Sequence, residues 1–143
     1  MKRIKTSLII ILLFFVWVLF HIQVMAEQGP ATGKTTSPVL KKSVMCESLQ
    51  DGLPVNQTIV FDVSKGTAYC WSNFDPVAEE GVVYHKWYRK GELISTNKLA
   101  VHPPRWAVYS ILRLRQADVG PWRLDITNEN GDILKTHRFS ITE

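Results

Sequence analysis

The chain has few of the residues that catalysis usually requires. Its 143 residues include two cysteines, Cys46 and Cys70, with no C-x-x-C spacing, which argues against a reactive or metal-binding pair. His85, His102 and His137 stand far apart, whereas zinc ligands come at short spacings. No serine, histidine and aspartate fall into a nucleophile motif. Asp75, Glu79 and Glu80 are acids close in sequence, and a carboxylate pair on a loop can hydrolyse glycosides. A solvated charge run explains them better. The sequence therefore predicts no enzyme, no catalytic residue, no metal and no cofactor.

Charge of one sign is also scarce. The formal net charge is +4 and the sequence pI about 9.2, but Lys2, Arg3 and Lys5 belong to the N-terminal leader. Without those three, 14 basic residues (17 less 3) face 13 acidic ones. The remaining cations are scattered along the chain. Nucleic-acid binding needs clustered phosphate-neutralising charge, so no nucleic-acid partner is expected.

The one long apolar run, Leu8 to Phe20, is thirteen residues, short of the roughly 20 that a membrane span needs. It follows the positive start and precedes Val24-Met25-Ala26, a small-residue cleavage site. This is the layout of a secretory signal peptide over residues 1–26. An uncleaved membrane anchor is the competing reading. The expected location is periplasmic or extracellular, and membrane-anchored if the segment stays on. Residues 27–42 are rich in Gly, Pro, Thr and Ser and cannot bury enough surface to offset chain entropy. They read as a flexible linker.

What the chain does have is strand pattern and tryptophan. In Trp122-Arg123-Leu124-Asp125-Ile126 the apolar residues alternate with the charged ones, the mark of a half-buried antiparallel strand. Similar segments run over residues 44–49, 58–63, 67–74, 82–89, 92–101, 105–112 and 133–142. Gln50 to Pro54, Lys90-Gly91 and Asn130-Gly131 read as turns. About eight short strands at this spacing predict an all-β domain over residues 43–143, an immunoglobulin-like two-sheet β-sandwich of about 7–8 antiparallel strands. A small barrel is the runner-up. Trp87, Trp106 and Trp122 are expected as core aromatics, the last two in one layer with Leu124 and Ile126.

With the strands laid out, the chain resembles a bacterial family, the domain of unknown function 2914. The resemblance is carried by Ala68-Tyr69-Cys70-Trp71 and by Val83-Tyr84-His85-Lys86-Trp87-Tyr88 with Gly91. It continues through Arg105-Trp106 with Ser110 and through Gly120, Trp122-Arg123-Leu124, Asn130-Gly131 and Phe139. Pro54-Val55 closes a matching acidic turn segment. Ala107 replaces an arginine of the family pattern, and Gln50-Asp51-Gly52-Leu53 replaces a more charged turn. The resemblance implies an exported or tethered β-domain and supplies no catalytic residue.

Behind a signal peptide, an even cysteine count reads as a disulfide, Cys46–Cys70. Trp71 has two possible facings. Either Cys70 points inward and Tyr69 and Trp71 outward, or the indole packs inside. Arg105, Tyr109 and Arg113 are placed on the outward side of their strand, and Tyr and Arg are enriched where proteins meet. The functional expectation is a non-enzymatic binding or assembly module whose partner is another envelope protein. A carbohydrate-binding module using exposed aromatics is the alternative, and a small hydrolase is more remote. Cleavage after Ala26 is checked by the intact mass of protein recovered from the envelope. A mass that retains residues 1–26 would establish the anchor instead.

Overall fold

The computed structural model describes residues 37–143. The expected leader and most of the expected linker lie outside them. The described residues form nine strands: β1 (Leu40–Gln50), β2 (Leu53–Gln57), β3 (Val60–Asp62), β4 (Thr67–Phe74), β5 (Gly81–Arg89), β6 (Glu92–Val101), β7 (Trp106–Arg113), β8 (Gly120–Asn128) and β9 (Ile133–Thr142). Single 3-10 turns at Val63–Lys65 and Gln116–Asp118 are the only helical residues among them.

The strands make two sheets. Sheet A has the order β2-β1-β4-β7 and sheet B the order β3-β9-β8-β5-β6. All neighbours pair antiparallel except β3 and β9, which run parallel. The parallel pair departs from the antiparallel expectation. It arises because the three-residue β3 lies along the end of β9, with Phe61 opposite Ile141.

β1 starts at Leu40, inside the stretch read as linker, and pairs there with Phe74. β2 begins in the expected turn, at Leu53 and Pro54, and runs on through Val55 to Gln57, where no strand was expected. Asp51 and Gly52 take positive φ, 51° and 75°, so two residues reverse the chain. Pro54 is tolerated because β2 is an edge strand.

The core is built on alternation. Val83 and Trp87 of β5 and Trp122, Leu124 and Ile126 of β8 are buried against Met45, Ala68, Cys70 and Phe74 of sheet A. Phe139 is the hub of the aromatics: its ring lies 5.7 Å from Phe61, 5.9 Å from Trp87 and 6.2 Å from Trp122. Each buried indole has its N–H satisfied, as burial demands. Trp87 donates to Asn97 at 3.0 Å, and Trp122 to the Asp118 carbonyl at 2.7 Å.

Trp106 corrects one expectation: it is 44% exposed and outside the core. Its parity is inward, opposite Phe74. As the first residue of β7, however, it falls at the rim, where its ring meets the edge of His102 at 4.7 Å. The two tryptophans should therefore separate on truncation. Trp122→Ala should cost about 3–5 kcal/mol, most of a small domain's margin, while Trp106→Ala should stay within about 1 kcal/mol. Urea midpoints of the two variants check this, and equal losses would contradict it.

Candidate functional site

Three arrangements of side chains stand out, one between the sheets and one on each outer face.

The first is a polar bridge through the core. Ser72 of β4 and Ser110 of β7 lie on the inner face of sheet A, and His85 of β5 on that of sheet B. His85 Nε2 is 3.1 Å from Ser72 Oγ, and its Nδ1 is 2.8 Å from Ser110 Oγ. His85 and Ser72 are fully buried and Ser110 nearly so. A neutral imidazole has one donor and one acceptor nitrogen, and a hydroxyl can answer either. Burial, together with the charge of His137, pushes the His85 pKa down to about 3. Nearer the sheet edge Ser43 and His137 repeat the contact between β1 and β9. Burial, then Lys135, also lowers His137. A general base must reach a substrate, and His85 is sealed from solvent, so the bridge is structural.

The expected Cys46–Cys70 disulfide is corrected: both thiols are free and buried. Cys46 sits opposite Tyr69, and Cys70 opposite Met45. Directly paired residues share a face of a sheet and successive residues alternate, so the two sulfurs lie on opposite faces. Cys70 belongs to the core, 4.0 Å from Ser72 Oγ, and burial pushes its pKa up to about 12. Cys46 and Trp71 lie on the outer face. The turn between β1 and β2 closes over them, and the Trp71 indole donates to the Gly52 carbonyl at 2.9 Å. Trp71 is thus outward yet buried, a combination that neither open facing included.

Two of the three loop acids have side-chain partners. Lys41 Nζ lies 2.8 Å from Asp75, and His102 Nδ1 3.0 Å from Glu80. The Lys41 hydrogen bond holds the Asp75 carboxyl below its usual range against desolvation, and the charges of Lys41 and Arg105 add to it. That is the opposite of the raised pKa a general acid needs.

The outer face of sheet A carries the residues singled out on β7. Tyr109 is 50% exposed and Ile111 44%. Across the sheet they sit opposite Trp71 and Tyr69, and Arg113 opposite Thr67. The Tyr69 and Tyr109 rings are 6.2 Å apart. Arg105 precedes the strand and faces the Asp75 end, while Arg113 closes it about 27 Å away at strand rise. The three residues do not form one cluster; they mark the two ends and the middle of β7. β7 is an edge strand, so one side of its backbone has no sheet partner.

The outer face of sheet B was not singled out from the sequence. Register aligns Tyr88, Arg123 and Arg138 in one row, Lys86, Asp125 and Thr136 in the next, and Lys98, Tyr84 and Thr127 in a third. The Arg123 guanidinium lies over the Tyr88 ring at 4.2 Å and contacts Asp125 at 3.2 Å. The only sequence signal was the polar parity of β5 and β8; the pairing that gathers these cations is long-range.

Residues 80–141 match the family model described as a protein of unknown function, DUF2914. The match spans 62 of the 143 residues, and over that segment the chain is similar to the DUF2914 family. The DUF2914 segment runs from the start of β5 almost to the end of β9, so it includes His85, Ser110, β7 and the basic rows of sheet B. Ser72 and both cysteines precede it. No curated protein matches the chain. Among solved structures, a beta-glucosidase from Kluyveromyces marxianus aligns at 17% identity with a TM-score of 0.39. The alignment covers 64% of this chain and 15% of that one.

The buried imidazole sets an acid sensitivity. The unfolded ring titrates near 6.5, and the folded ring near 3. The bridge's contribution is therefore fully present above about pH 6.5. It is lost as pH falls from there towards 3, because the unfolded chain then binds more protons. Each pH unit in that window removes at most about 1.4 kcal/mol. Urea midpoints between pH 7 and 4 should fall steeply for the native chain and more gently for His85→Gln. Parallel curves would contradict this.

Proposed function

We propose that the chain is an exported, non-enzymatic, immunoglobulin-like module of the cell envelope that acts by docking another envelope protein along β7. The export half of the reading rests on the leader-like sequence of residues 1–26. The immunoglobulin-like half is supported by two facing sheets of four and five strands with Trp87 buried between them.

The observation that carries the docking half is the state of β7. It is an edge strand with Tyr109 and Ile111 exposed at alternate positions. Edge strands left open invite pairing with another chain, and natural proteins usually blunt them with charge or proline. An added strand would gain main-chain hydrogen bonds from β7 and side-chain contacts from the Tyr109 face. Arg113 would meet a carboxylate on the partner. The sugar-binding alternative has lost its best platform on this sheet, because Trp71 is buried beneath the β1–β2 turn.

Tyr109→Ala with Arg113→Ala should leave stability within about 1 kcal/mol and abolish the partner captured by in-cell crosslinking. The same partner at the same yield would place the docking surface elsewhere.

A further inference from the structure

Sheet B has a polarity that its sequence conceals. Lys86, Lys98, Arg123 and Arg138 come from four different strands, yet register brings them to one outer face. The sole carboxylate in these rows is Asp125, which is 4% exposed and held by Arg123 and by Thr136 at 2.7 Å. No acid is left facing solvent to neutralise the cations. At one end of the face an open groove of about 190 Å³ is lined by Tyr88, Lys90, Trp122, Arg123 and Arg138 among others, with no carboxylate in its wall.

We propose that this face binds an acidic polysaccharide, with one of its anionic groups in the groove. The charge identifies the sign of the ligand, because opposite potentials recognise each other. The reach identifies a polymer. Arg138 and Lys98 are three strands and four residues apart, about 20 Å on the diagonal at the spacings of a sheet. The side chains that stand between the charges argue for a sugar chain over a nucleic acid. Between the cations stand the hydroxyl-bearing Tyr84, Tyr88 and Thr96, which suit the hydroxyls of a sugar. This site is separate from β7, and its test leaves Tyr109 and Arg113 intact, so either proposal can fail alone.

The test is binding of the whole chain to polygalacturonate, with neutral dextran, a single-stranded DNA oligonucleotide and anionic phospholipid vesicles as comparisons. Polygalacturonate should bind best, and its affinity should fall between about 50 mM and 200 mM salt. Lys98→Glu with Arg138→Glu should weaken it about tenfold or more, at an unchanged melting temperature. Lys42→Glu, on the exposed part of sheet A, should not. Preference for DNA, vesicles or neutral dextran would overturn the proposal. So would failure to bind polygalacturonate, or equal affinity in the double variant.

Discussion

The fold depends on one buried contact, an imidazole held between two hydroxyls. Ser72 of β4, Ser110 of β7 and His85 of β5 tie the two sheets together where an apolar core would ordinarily be continuous. An unsatisfied polar group in that place would cost about 1–3 kcal/mol, so the three residues have to be taken as a set. The set also orients β4 and β7 against β5. Losing His85 takes the ring partner from both serines, while losing either serine strips one ring nitrogen of its partner. The aromatic cluster around Phe139 fills the neighbouring space and gives the sandwich its bulk. The bridge adds specificity of register, since a slip of one residue would turn His85 towards solvent.

Because the sheets are joined from within, their outer faces are left to other uses. Sheet A presents a half-apolar edge strand and buries Cys46 and Trp71 beneath a folded-over turn. Sheet B presents tyrosines and cations in rows. Each face thus has its own chemistry, and the core contributes rigidity to both. The free thiols fit this division. One is core filling and the other lies under the turn, and with the imidazole bridge in place neither is needed as a covalent link between strands.

Much of the fold was legible in the sequence, and the reasons are local. Period-two alternation on β5 and β8 marked Trp87 and Trp122 as core residues, and both are buried. The same rule assigned Trp106 the correct parity and the wrong burial, because alternation says nothing about how far the opposite sheet extends. The cysteines failed for a related reason. Counting them says that a pair exists, while only the register of β1 against β4 says that their side chains point apart. The basic face was invisible because Lys86, Lys98, Arg123 and Arg138 are scattered along the chain and meet only through long-range pairing. β2 was hidden inside a Gly-Pro segment whose proline an edge strand can accept. The serine partners of His85 were not legible, because Ser72 and Ser110 reach it only across the two sheets.

The account stands or falls on the state of that imidazole. The most direct measurement is a ¹⁵N-resolved NMR titration of the His85 ring from pH 7 to pH 4, within the folded range. The account predicts a single neutral tautomer throughout, with no titration of the ring, in keeping with a pKa near 3. A His85 ring that titrates near 6.5, or that exchanges freely between tautomers, would mean that it is open to water and that no polar bridge joins the sheets.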